Sequence, residues 1–240
     1  MHNILKGKKV IFFDVGYTLD YPASGDWMII NKLKELAGDR LSSISPDAIQ
    51  EALKRGYQYL ETPHLIKTID EECENLYHYY SILSETLGLG LTRDELVAVA
   101  QDRARNMDNY ILYPDAKHVL EVLSKTYCLG IISDTWPSIE LQLDKFGIRQ
   151  YFSFFTYSFQ LGVFKPDPKM FTDALGKCGC SAEETVFIDD VQKNVEGAAL
   201  SGITPILIAT NPVSDVEVPY TKIHSLSDLI IRQYCNIHTK

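Results

Sequence analysis

Apolar residues fall along this 240-residue chain in two rhythms. Short, mostly apolar runs, at 10–13, 128–132, 152–155 (a weaker one), 185–188 and 203–208, are rich in Val, Ile and Phe, and most stop abruptly on a hydroxyl or a carboxylate. Runs of that length without alternation predict parallel strands buried on both faces. Elsewhere apolar residues recur every three or four positions, the spacing of one helix face.

Residues 20–109 hold only the second rhythm. Helices are expected over 26–37, 45–59 and 68–87, with another behind Thr92. Ser45-Pro46 reads as an N-cap followed by proline at the first helical position, and Thr92 with Glu95 as a capping box. Gly88 and Gly90 supply a stop between the last two. Ninety residues without a strand are too many for a connection, so the segment predicts an inserted domain. After it, strands alternate with helices expected over 116–125, 137–146, 169–177, 193–201 and 226–234. The expected fold class is α/β: a Rossmann-like three-layer parallel sheet core, residues 1–19 and 110–240, with an inserted all-helical cap domain, residues 20–109.

Composition narrows the class of partner. With 45% apolar and 23% charged residues the chain is globular. A net charge of −9 argues against a nucleic-acid surface, which needs a basic footprint, but not against a small phosphorylated molecule. No run is long enough to span a membrane, and lysines lead straight into the first strand, so a cytoplasmic protein with no membrane partner is expected, as monomer or homodimer. The five cysteines are scattered, and Cys178-Gly179-Cys180 reads as a helix-end turn with ordinary thiols.

The candidate chemistry sits where strands end. Asp14, Ser133, Lys165 and the pair Asp189-Asp190 all lie at or just beyond carboxyl ends of apolar runs, which share one edge in a parallel sheet. Asp14 and Asp190 would repel each other without a cation between them, and carboxylate oxygens suit Mg²⁺. Asp14 could attack phosphorus, Lys165 could offset the charge, and Ser133 could hold phosphoryl oxygens.

These residues carry a resemblance. VIFFDVGYTL, LGIISDT, GVFKPDP and VFIDDVQKNVEGA are similar, in order and spacing, to the four motifs of the haloacid dehalogenase-like (HAD) hydrolases, in members with a helical cap after the first motif. The resemblance implies a Mg²⁺-dependent phosphatase that passes through an aspartyl-phosphate. It makes Asp14 the nucleophile, Ser133 the phosphate-binding hydroxyl and Lys165 the motif lysine. Asp190 becomes the metal-binding acid beside Asp14 and the Gly16 carbonyl, with Asp189, Asn194, Asp134 and Thr135 as the supporting shell.

One position departs from the pattern. The family's phosphatases place a second aspartate, the proton donor, two residues after the nucleophile, and here that residue is Gly16. Tyr17 is adjacent but is a poor base at an ordinary pKa near 10. Asp26, His64 or Tyr57 could reach in from the cap, and nothing in the sequence selects one. A slow hydrolase is expected. The alternatives left open are a non-catalytic ligand- or protein-binding module of the same fold, a 2-haloacid dehalogenase with Arg40 or Arg55 as carboxylate clamp, and a phosphonate hydrolase using Lys32, Lys34, Lys54 or Lys67.

Overall fold

A computed structural model describes residues 4–62, 65–210 and 217–230. The chain forms two compact units, Met1–Tyr21 with Leu112–Thr135 and Phe146–Lys240, and Pro22–Ile111 with Trp136–Lys145. The elements run in order as β1 (Val10–Phe13), β2 (Asp20–Pro22), α1 (Asn31–Ala37), α2 (Asp39–Ser42), α3 (Pro46–Leu60), α4 (Ile69–Thr86) and α5 (Arg93–Arg105). Then come β3 (Tyr110–Leu112), α6 (Ala116–Leu123), β4 (Cys128–Ser133), α7 (Ile139–Phe146), β5 (Phe152–Tyr157) and α8 (Ser158–Leu161). The last are α9 (Pro168–Cys178), β6 (Thr185–Asp189), α10 (Gln192–Leu200), β7 (Thr204–Ile208) and β8 (Thr221–Ile223).

The first unit is built on a six-stranded sheet in the order β5-β4-β1-β6-β7-β8, with every neighbouring pair parallel. All four residues of β1 are buried, as the unbroken apolar run requires of a central strand. On one face Phe12, Ile132, Phe187, Met170, Phe171 and Ala198 join a single core under α9 and α10. Gly130 makes room there, since a Cβ on it would stand 2.6 Å from the Phe12 ring.

The second unit is the helical cap. Its core runs through Leu33, Leu53, Leu76, Tyr79, Tyr80 and Val99, so four helices each bury one apolar stripe. The expected caps form: Ser45 accepts from the Ala48 N–H and Thr92 closes a capping box, and Thr68 closes another that was not expected. The segment 136–145 belongs to this unit, whereas the sequence reading drew residues 110–240 together. The reason is polar. The buried Glu72 carboxylate on α4 accepts from the Ser138 N–H at 2.8 Å and from its hydroxyl at 2.7 Å, ahead of α7.

Three further details differ from the sequence reading. The first cap helix starts at Asn31, because Asp26 Oδ1 takes the Met28 and Ile29 N–H groups at 2.7 and 2.8 Å and holds a turn instead. Strands β2 and β3 form a two-stranded ribbon, and β8 adds a sixth strand to the main sheet; all three are only three residues long, too short to show a pattern. The closing helix expected over 226–234 begins at residue 228, and its part beyond residue 230 lies outside the described residues, as do His64 and Cys235.

Candidate active site

The sheet register accounts for the meeting of the acids. Phe13 pairs with Ile188 across β1 and β6, so the next residues, Asp14 and Asp189, leave neighbouring strands at the same level. The Asp14 N–H continues the ladder to the Ile188 carbonyl at 2.9 Å. Asp190 follows directly, and oxygens of Asp14, Asp189 and Asp190 all lie within 4.8 Å of one another.

Lys165 enters this cluster from the loop between α8 and α9. Its Nζ lies 2.7 Å from Asp14 Oδ1 and 2.7 Å from Asp189 Oδ2, and it donates to the Ile132 carbonyl at 3.2 Å. Burial disfavours its charge, but the neighbouring Asp14 and Asp189 outweigh that and raise its pKa, so it stays protonated. The loop is held where α9 begins: Asp167 Oδ1 accepts from the Lys169 N–H at 2.8 Å, with Pro168 at the first helical position.

Asp189 is closed to solvent and its acceptor capacity is committed. Oδ1 takes the Val191 N–H at 2.7 Å, Oδ2 takes Lys165, and Asn194 Nδ2 reaches both oxygens at 3.1 and 3.0 Å. Asp14 and Asp190 keep oxygens in hand. Burial first, then the Lys165 charge opposing it and Asp189 reinforcing it, leave the Asp14 pKa raised to about 6. Burial with Asp14 and Asp189 nearby pushes Asp190 up to about 8. Both shifts express the cost of crowding carboxylates in a poorly hydrated place.

With all three carboxylates ionised beside one ammonium there would be an excess of negative charge, which a hard divalent cation would offset. Oxygen donors at this spacing fit Mg²⁺, and the two acids with uncommitted oxygens, Asp14 and Asp190, are the ones placed to hold it.

Ser133 ends β4, buried, where the sequence reading places the phosphate-binding hydroxyl. Beside it Asp134 Oδ1 accepts from the Lys165 N–H at 2.9 Å. Thr135 is braced by a residue the sequence reading missed: its N–H donates to Ser158 Oγ at 2.9 Å, and that hydroxyl donates back to the Thr135 carbonyl at 3.2 Å. Ser158 directly follows β5, so the strand-end rule that found Ser133 could have found it too.

After Asp14 the chain turns on a left-handed residue. Tyr17, not Gly16, takes the left-handed conformation, at φ 54°. A non-glycine residue there costs about 1–2 kcal/mol. Hydrogen bonds fix the turn: the Tyr17 N–H to the Asp20 carbonyl at 2.7 Å, the Leu19 N–H to the Val15 carbonyl at 2.7 Å, and the Thr210 hydroxyl to the Tyr17 carbonyl.

Several cap candidates are occupied within their own unit. Arg40 donates to the carbonyls of Leu36, Ala37 and Leu89, and Arg55 pairs with Glu51 at 3.2 Å. Lys32 pairs with Glu35 at 3.0 Å, Lys34 donates to the Ser24 carbonyl at 2.7 Å, and Asp26 holds its turn. Tyr57 packs its ring 5.9 Å from that of Tyr79.

The comparisons with known proteins agree with this geometry. The family model of haloacid dehalogenase-like hydrolases matches residues 42–208. Glyceraldehyde 3-phosphate phosphatase of Methanothermobacter thermautotrophicus is 26% identical over 206 residues, covering 83% of this chain and 85% of its own. Phosphoserine phosphatase of Thermus thermophilus is 33% identical over 109 residues, 43% of each chain. Among solved structures, the HAD-hydrolase YfnB of Bacillus subtilis, bound to magnesium, superposes with a TM-score of 0.68 at 19% identity, over 93% of this chain and 97% of its own. L-2-haloacid dehalogenase of Xanthobacter autotrophicus gives a TM-score of 0.62 at 18% identity, over 97% and 100%. The fold and site define a hydrolase with a parallel-sheet core and an inserted helical cap. The chain belongs to the haloacid dehalogenase-like hydrolases.

Proposed function

We propose that the protein is a Mg²⁺-dependent phosphatase acting on a small phosphate monoester through an aspartyl-phosphate on Asp14. The observation that carries this reading is the Asp14–Lys165–Asp189 arrangement beside Asp190, which leaves one oxygen of a buried aspartate unbridged at the edge where ligands bind. The relatives named for glyceraldehyde 3-phosphate and phosphoserine support a small polar alkyl phosphate as the substrate class.

In this reading Asp14 and Asp190, with the Gly16 carbonyl, hold the ion, which when bound draws charge from the phosphoryl oxygens. Asp14 attacks phosphorus. Lys165 keeps Asp14 oriented and offsets the negative charge that gathers as the phosphate arrives. Ser133, on the strand end whose following loop Ser158 braces at Thr135, receives the phosphoryl oxygens. Asp189 and Asn194 hold Lys165 and the following loop in register. Gly16 contributes no proton, so the reaction is slow unless another acid reaches the leaving oxygen.

Phosphate release from a panel of small monoesters tests the reading, with wild type and Asp14→Asn in Mg²⁺ and in EDTA. Turnover by wild type that needs Mg²⁺ and vanishes in the variant supports it. Equal traces in both proteins would contradict it and favour a binding module. Release of halide from a 2-haloacid without Mg²⁺ would place the protein among the dehalogenases instead.

A further inference from the structure

We infer that Asp134 is the general acid and base of this site, doing from β4 what Gly16 cannot do from β1. The inference rests on the phosphatase reading and adds to it the residue that moves the proton.

The position follows from the sheet. Strands β1 and β4 are parallel neighbours, and their pairing ends at Phe13 with Ile131. Gly16 and Asp134 are each the third residue beyond that pair. The side chain missing from one strand is therefore replaced, by count along the register, on the next.

The other carboxyl groups at this edge are committed. Asp189 is saturated by Lys165, Asn194 and the Val191 N–H. Asp14 is the nucleophile, and Asp190 shares the cation with it. Asp20 is fully closed to solvent, and Asp167 caps α9. Asp134 differs from all of these: it is exposed to solvent, and its Oδ1 accepts from the Lys165 N–H at 2.9 Å. That bond fixes the carboxyl group on the loop that follows Ser133 and leaves Oδ2 to carry a proton.

Its surroundings favour the protonated form. Although open to solvent, the carboxyl group lies deep enough among protein atoms that burial raises its pKa, with Asp189 adding to the rise. Lys165, the Lys165 N–H and Lys193 oppose it without reversing the direction. A neutral carboxyl beside an arriving phosphate avoids the repulsion that a second carboxylate would impose and can donate a hydrogen bond.

The steps balance. Asp14 attacks phosphorus, the bond from phosphorus to the alkoxy oxygen breaks with its electron pair on oxygen, and the Asp134 proton passes to that oxygen as the alcohol leaves. Water then attacks the phosphorus of the aspartyl-phosphate and gives a proton to the Asp134 carboxylate. The bond from phosphorus to Asp14 breaks, releasing phosphate and restoring both side chains.

Leaving-group dependence tests the assignment, because an alkoxide needs a proton to leave and a nitrophenolate does not. Asp134→Asn keeps the acceptor for the Lys165 N–H and removes only the titratable proton. It is expected to lower kcat/KM for glycerol phosphate by about 10²–10⁴-fold and kcat/KM for p-nitrophenyl phosphate far less, because kcat/KM ends at phosphoryl transfer to Asp14 and does not include the later water attack that Asp134 serves for both esters. Adding Gly16→Asp to that variant is expected to restore part of the loss on the alkyl ester. Equal loss on both esters, or no loss on either, overturns the inference while the phosphatase reading stands. If wild type hydrolyses neither ester in Mg²⁺, both fall together.

Discussion

Lys165 Nζ and Asp189 Oδ2 stand 2.7 Å apart with side chains 1% and 0% exposed, so this ion pair is sealed from water. Removing one partner of such a pair strands the other charge, at a cost of about 3–5 kcal/mol. Lys165→Met strands two, Asp14 and Asp189. The variant is expected to lose that much stability in urea denaturation and to have no measurable phosphatase activity. Wild-type stability in this variant would mean that the carboxylates are not held ionised by the lysine.

The cluster of Asp14, Asp189 and Asp190 predicts that divalent cations stabilise the fold. Saturation at about 100 times the Kd adds about 2.7 kcal/mol. Thermal melting with Mg²⁺ against EDTA measures this. Asp190→Asn is expected to abolish the shift, and because it also removes a charge that Asp14 and Asp189 disfavour, it should melt no lower than wild type in EDTA. An undiminished Mg²⁺ shift in Asp190→Asn would place the ion elsewhere.

Gly197 on α10 lies against the chain next to Lys165. A Cβ there would stand 2.7 Å from Pro166 Cβ, 2.9 Å from the Phe171 ring and 3.2 Å from the Pro166 carbonyl oxygen. Alanine gains about 1 kcal/mol as a helix former, and overpacking costs about 1–3 kcal/mol. Gly197→Ala should therefore melt lower than wild type. It should also lose between a few-fold and about 10²-fold in kcat, because Pro166 moves and Lys165 with it. A more stable, fully active variant would contradict this.

Glu72 predicts a pH dependence in the cap. Its pKa is raised from the ordinary value of 4.5, chiefly by burial, with Ser138 and Arg103 only partly opposing. An acid raised by folding contributes stability that is complete below pH 4.5, where both folded and unfolded states are protonated. That contribution is lost as pH rises through the folded value. Glu72→Gln can still accept from the Ser138 N–H, with its NH₂ donating to the Ser138 hydroxyl, and does not titrate. Its stability relative to wild type should rise between pH 4.5 and neutrality in chemical denaturation; a constant difference would contradict the assignment.

The apolar strands were legible because burial on both faces leaves little room for polar residues, and their polar terminators marked the edge where the acids meet. Strand β8, Thr221-Lys222-Ile223, was not, because an edge strand of three residues carries no such pattern. The placement of residues 136–145 was hidden for a different reason. It depends on one carboxylate, Glu72, meeting Ser138 from 66 positions away, and periodicity is blind to a contact of that kind. Ser158 stood at a strand end like the others, but its partner Thr135 is joined through backbone atoms, which leave no trace in residue types. The left-handed residue of the turn after Asp14 was not legible either, since glycine is the default for φ above zero and Tyr17 holds it here through hydrogen bonds from elsewhere in the chain.

A crystal structure with Mg²⁺ and fluoroberyllate tests the central claim most directly. The account predicts beryllium bonded to an Asp14 oxygen, its fluorides received at Ser133 and Lys165, and one cation shared by Asp14 and Asp190. A trifluoroberyllate bound away from Asp14, or a cation that leaves either acid out, would contradict it.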